Sequence, residues 1–167
     1  MAFREVQLDE LNFNPFTKIG KEWMLITAGD EQKVNTMTAS WGGAGVLWGE
    51  NVVTAYIRPQ RYTKEFVDAQ EYFSLTFFED CKKELGVLGR VSGRDTDKIS
   101  DVGFHVTMLD GVPAFEEAKL VLIVKKLYID EIKPEKFLDS SIDGKWYPEK
   151  DYHTLYIAKI EKAYIAE

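Results

Sequence analysis

The sequence predicts a mainly β domain carrying a few short helices. Two observations lead there: at least six segments are rich in β-branched and aromatic residues and most end at Gly, Pro, Asn or Asp, while only three short stretches carry a helical period. At 167 residues the chain suits a single domain, residues 1–167, that buries roughly 70 per cent of the surface its unfolded form exposes.

Taken in order, Phe3 to Leu8 is a short extended piece, and Phe13-Asn14-Pro15-Phe16 reads as a turn or the start of a helix. Trp23 to Ala28 is an apolar run closed by Gly29-Asp30, which predicts a buried strand, and the polar Glu31-Gln32-Lys33 connects it as a hairpin to Val34. Asn51 to Ile57 is a further strand, ended by Arg58-Pro59 because proline cannot donate to a central ladder. In Tyr62 to Ala69, Tyr62, Phe66 and Ala69 share one helical face. Tyr72 to Phe78 predicts a strand, and Asp80 to Arg90 a helix with Leu85 and Leu88 inward. Asp97 caps a helical turn through Val102. Val112 to Phe115, Leu120 to Ile132 and Tyr152 to Ile165 supply the remaining strands, and Ser140 to Pro148 reads as a long loop.

Composition narrows the partners. Hydrophobic residues make up 45% and charged residues 29%, the balance of a folded chain. A net charge of -7 argues against nucleic acid and anionic membranes, which are held by clustered Lys and Arg. Yet Arg58, Arg61, Arg90 and Arg94 fall close together in sequence, near Lys98, so a local anion site inside an acidic protein is the sharper reading. Cys81 stands alone and cannot form an intrachain disulfide; with no long apolar run or leader, the expected location is cytoplasmic.

Nucleotide motifs of the G-x-G-x-x-G and G-x-x-x-x-G-K-[ST] kinds are absent, as is a G-x-S-x-G elbow. His105 and His153 lack metal-ligand spacing, so no metal is expected. Three segments remain. Asn35 to Trp41 combines amide, hydroxyl and small side chains before a run of glycines, with Trp41 and Trp48 at hand; Arg58 to Thr63 and Ser92 to Lys98 add cations and backbone N–H groups. Together they are the inventory for a ligand with a phosphate at one end and a flat aromatic ring at the other, a mononucleotide-like cofactor.

Asn35-Thr36-Met37-Thr38-Ala39-Ser40-Trp41-Gly42-Gly43, followed by Ile57-Arg58-Pro59-Gln60-Arg61-Tyr62-Thr63 and by Ser92-Gly93-Arg94-Asp95-Thr96-Asp97-Lys98, resembles the flavin reductase-like proteins with the FMN-binding split barrel, the flavoredoxin branch above all. That resemblance spans nearly the whole chain and implies a Greek-key split β-barrel, FMN as cofactor, and a homodimer with the flavin near the subunit boundary. Carried over, Asn35 and the backbone of Met37, Thr38, Ala39, Ser40 and Trp41 meet the isoalloxazine ring. Arg58, Tyr62, Thr63, Ser92, Gly93 and Lys98 serve the phosphate and ribityl end or offset charge on the reduced ring. Flavin reductases of this kind carry Gly-Asp-His late in the chain; here Lys150-Asp151-Tyr152-His153 keeps the histidine but not the direct Asp-His pair, and His153 is the catalytic candidate. The implied function is an FMN flavoprotein that passes electrons to a redox protein partner. The alternatives are an NAD(P)H-dependent flavin oxidoreductase and a non-catalytic binder of another phosphorylated ring.

Overall fold

The structure, a computed structural model, describes residues 2–167. In chain order the elements are β1 (Phe3–Val6), α1 (Pro15–Lys18), β2 (Met24–Gly29), β3 (Val34–Ala39), β4 (Gly42–Leu47) and β5 (Glu50–Ile57). Then follow α2 (Tyr62–Ala69), β6 (Tyr72–Phe77), α3 (Lys82–Arg90), α4 (Lys98–Asp101), β7 (Val106–Leu109) and β8 (Val112–Phe115). The chain ends with β9 (Leu120–Glu131), α5 (Ser140–Trp146) and β10 (Thr154–Ala166). No helix among the described residues is long and apolar enough to cross a membrane.

Eight strands form one antiparallel sheet in the order β3-β2-β6-β9-β10-β5-β4, with β1 also paired to β10. Laid flat, β3 and β4 would stand about 29 Å apart at the usual strand spacing. Only Ser40 and Trp41 separate Ala39 from Gly42, and three Cα steps reach at most about 11 Å. The sheet must therefore curl until its two ends approach each other. Register shifts after Ile157 and after Ile160 let the long β10 bend, so that it pairs with β5 along one half and with β1 along the other.

Strand alternation sorts the apolar residues into two cores. Met24, Ile26, Phe73, Leu75, Leu122, Val124 and Tyr156 fill the inside of the curled sheet. Leu25, Val121 and Ile123, from the opposite face of the same strands, pack outward against Leu85 and Leu88 of α3 and Phe115 of β8. The two-stranded β7–β8 hairpin is tied to the sheet by the Ser74 hydroxyl, which donates to the Pro113 carbonyl at 2.6 Å.

The predicted strands and the α2 and α3 helices form where the residue patterns place them, and Asn14 and Asp97 cap α1 and α4 through the N–H groups of Phe16 and Ser100. Two strands go beyond the prediction. Gly42–Leu47 is an edge strand, joined to β5 by Trp48 and Gly49 at φ 55° and 73°; β7 and β8 turn on Asp110 and Gly111 at 51° and 77°. Positive φ at both central residues is the hairpin geometry that matches strand twist. One expectation is corrected: Ser140 to Pro148 is not a loop but contains α5, whose first turn is capped by the Asp139 carboxylate accepting from Ser141 N–H. Seven residues are too few for a helix to stand alone, and this one is held by tertiary contacts described below.

Candidate functional site

β3 organises the site because its alternation sends Asn35, Met37 and Ala39 to one face and Thr36 and Thr38 to the other. The Thr38 hydroxyl donates to the Leu85 carbonyl of α3, and Thr36 pairs with Thr27 at 2.8 Å. Those hydroxyls are therefore engaged in packing, and because Met37 and Ala39 belong to the inner core, the strand offers a ligand chiefly its backbone and the Asn35 amide. Asn35, buried, donates from Nδ2 to the Thr63 hydroxyl at 2.8 Å, which fastens β3 to the start of α2. Gly93 lies against the same amide: a Cβ there would stand 2.0 Å from Asn35 Oδ1, so glycine is required by close approach.

Two cavities open along β3. One, of about 320 Å³, is lined by Asn35, Gly93, Arg94, Asp95, Asp97 and Lys98, among others. The other, about 160 Å³, is bounded by Met37 to Trp41, Tyr56, Arg58, Arg61 and His153. Asn35 and Ala39 are about 13 Å apart at the rise of a strand. The three segments singled out in the sequence thus meet on one side of the molecule. Tyr62, Thr63 and Ser92 line neither cavity: the Tyr62 ring lies under Arg94 and its hydroxyl accepts from Lys33, the Thr63 hydroxyl accepts from Asn35, and the Ser92 hydroxyl accepts from Arg94 N–H.

Arg94 and Arg58 at the two cavities pair with Glu65 and Asp151, and Asp95 and Asp97 line the first cavity, but Lys98 and Arg61 stand without a carboxylate partner among the described residues. Lys98 is the one buried lysine or arginine among the described residues, 4% exposed, and its Nζ donates to the Leu88 carbonyl at 2.8 Å. Arg61 donates to the next carbonyl, Gly89, at 2.7 Å. Both thereby sit at the C-terminal end of α3, where free carbonyls favour positive charge. Neither forms an ion pair among the described residues. Burial and the neighbouring Arg61 push the Lys98 ammonium down to about 8, and burial together with Arg58 lowers Arg61.

Arg58 is engaged differently. It pairs with Asp151 at 2.9 Å, donates to the Trp146 carbonyl at 2.9 Å and covers the Tyr147 ring at 4.9 Å. It is the latch that holds the end of α5 over the second cavity, where Trp146 meets Trp41 edge to face at 5.1 Å. His153 is 7% exposed, tilted against Trp41 at 5.3 Å, with Nδ1 2.7 Å from the Tyr147 hydroxyl. Burial and then Arg58 push the imidazole down to about 4. Tyr56 and Tyr147 were not among the expected site residues, and Arg61 was expected only as one of a cluster of cations. Arg61 was readable, three residues after Arg58 across a proline turn; Tyr56 and Tyr147 reach the site through tertiary contacts with no local signal. No group of three metal-binding side chains occurs among the described residues.

No family model matches the chain, and no curated protein does. Solved structures do. The chain is similar to an FMN-binding domain of a flavin reductases-like enzyme from Shewanella baltica, at TM-score 0.70 and 16% identity over 98% of this chain and 77% of that one. It is similar to flavoredoxin from Methanosarcina acetivorans at TM-score 0.65 and 21% identity, covering 87% and 69%. The styrene monooxygenase flavin reductase of Pseudomonas putida S12 gives TM-score 0.64 and 16% identity, covering 87% and 80%. With its curled antiparallel sheet and short helices, the chain has the split-barrel fold of the flavin reductase-like proteins.

Proposed function

We propose that the protein binds FMN along β3 and passes electrons through it, in the manner of a flavoredoxin. The observation that carries this reading is Lys98, a buried ammonium with one carbonyl partner and no carboxylate, beside Gly93 and Asn35. Such a cation is costly to hold without an anion, and a phosphate offsets that cost. The aromatic-walled cavity at the other end of β3 suits a flat ring.

When bound, FMN supplies hydride and single-electron transfer at its ring. The chain's residues do the rest. Lys98 and the backbone around Gly93 hold the phosphate, Thr63 fixes Asn35, and the backbone from Met37 to Trp41 meets the ring edge. Arg58 and Arg61 place positive charge where negative charge develops on reduction. Arg58 belongs to the ring end, because it shares a cavity with Trp41 and His153 and not with Lys98.

A second reading, an NAD(P)H-dependent flavin oxidoreductase, is favoured by His153 standing in the ring cavity. The resident flavin's visible absorption separates the two. A carrier bleaches slowly with NADH and NADPH and quickly with a reduced protein partner; rapid bleaching by either nucleotide carries the enzyme reading instead.

We place the protein in the cytoplasm, where a lone free Cys81 is at home, and propose that two copies pair. The support is the unpaired edge of β4, with Val46, Leu47 and Trp48 exposed near Leu127, Tyr128 and Ile129. Light scattering at twice the chain mass is the expected result, and a monomer at micromolar concentration contradicts it.

Lys98 gives the phosphate assignment its test. Its ammonium is charged below about 8 and largely neutral at pH 9, and a bound phosphate restores the charged form. FMN affinity therefore falls as pH rises, roughly eightfold between pH 7.5 and 9, with riboflavin flat. Lys98→Met weakens FMN about ten- to hundredfold, removes that pH dependence and spares riboflavin. Equal losses for both ligands in a fluorescence titration take Lys98 out of the phosphate site.

A further inference from the structure

Tyr147, the residue after α5, is 6% exposed, and its hydroxyl has one side-chain hydrogen-bond partner among the described residues, Nδ1 of His153 at 2.7 Å. The direction of that bond follows from counting hydrogens. A tyrosine carries one O–H, so if the imidazole donated from Nδ1, the phenol hydrogen would be left buried with no acceptor. If the phenol donates, its hydrogen and Nδ1 are both satisfied and Nδ1 carries no hydrogen. A neutral imidazole must then hold its hydrogen on Nε2, the nitrogen left free for the ring cavity that His153 lines with Met37 to Trp41.

The surroundings hold both groups neutral. His153 is faced by Arg58 and Tyr56 from β5 and its turn, by Arg61 at the start of α2, by Asp151 and Tyr147 from the segment before β10, and by the Trp41 ring. Burial is the largest cause, and Arg58 together with Arg61 outweighs the Asp151 carboxylate, so the imidazole stays uncharged down to about 4. Burial likewise raises the Tyr147 phenol, which keeps its hydrogen. The phenol cannot swing away, because its ring is packed against Tyr152 at 4.8 Å and covered by Arg58 at 4.9 Å.

We propose that Tyr147 is a positioning residue whose hydroxyl locks His153 as the Nε2–H tautomer, making His153 a neutral hydrogen-bond donor to the ring cavity. His153 is then neither a cation nor a proton acceptor on that side. It addresses an acceptor on the bound ring system, a carbonyl oxygen or an imine-type nitrogen, while Arg58 and Arg61 supply the charge. The flavin part of this assignment rests on the function proposed above; the tautomer does not.

The test is long-range proton–nitrogen NMR of the histidine rings at pH 7. The exposed His105, bonded to Glu117 away from both cavities, is removed by His105→Gln so that His153 gives the only signals. The expected spectrum shows hydrogen on Nε2, an unprotonated Nδ1, and no change to the imidazolium down to pH 5. Tyr147→Phe raises the Nδ1–H form about tenfold relative to Nε2–H. An Nδ1–H ring or an imidazolium at pH 7 in the chain with Tyr147 intact overturns the proposal, as does an unchanged tautomer ratio in Tyr147→Phe. Adding FMN separates the two readings: an Nε2–H ring in a chain that binds no flavin overturns the flavin and leaves the tautomer, and flavin binding beside an Nδ1–H ring does the reverse.

Discussion

The two-residue link between Ala39 and Gly42 is the constraint from which the architecture follows. It joins strands at opposite ends of the sheet order, so it can be made only if the sheet curls and encloses a core. Once curled, β2 and the first half of β9, Leu120 to Val124, are covered on both faces, which is why they read as continuous apolar runs and not as alternating ones. The same closure brings Trp41 to the sheet's seam, next to the turn of Arg58 and Arg61 and the start of β10 with His153.

Around that seam the protein holds positive charge in places where isolated charge is expensive. Lys98 and Arg61 are stabilised by the carbonyl end of α3, Arg58 by Asp151 and by the carbonyl end of α5. Two short helices thus work as receptors for cations at their C-termini. They position these charges while leaving donor capacity unspent, since Lys98 has three N–H groups and one protein partner. On the function proposed above, a phosphorylated ring would complete this arrangement from outside, the phosphate near Lys98 and the ring near Trp41. Glycine at 93 and the Asn35–Thr63 bond keep the two ends in register.

Much of this was legible in the sequence because it is local. The apolar run ending at Gly29, the caps at Asn14 and Asp97, and the proline after Arg58 each act within a few residues, and the elements stand where they point. What escaped was tertiary or disguised. β4 hid because glycines argue against a strand; its partner turn, Trp48-Gly49, lacks the Asn or Asp that signals a hairpin, whereas Asp110-Gly111 between β7 and β8 carried that signal in plain view. α5 contains a glycine and is too short to form alone, so beside the Asp139 cap it depends on contacts with Arg58, Trp41 and Tyr152, all outside the helix. The site residues followed the same division: Asn35, Gly93 and Lys98 come from motifs, while Tyr56 and Tyr147 enter through contacts that no local pattern announces.

The direction in which a flavin lies along β3 is the centre of the account, and a crystal structure of the chain soaked with FMN reads it directly. The account predicts the isoalloxazine ring against the backbone of Met37 to Trp41, next to His153, with the phosphate within hydrogen-bond distance of Lys98 Nζ. A phosphate found on Arg58 with the ring near Gly93, or a flavin seated away from β3, contradicts it.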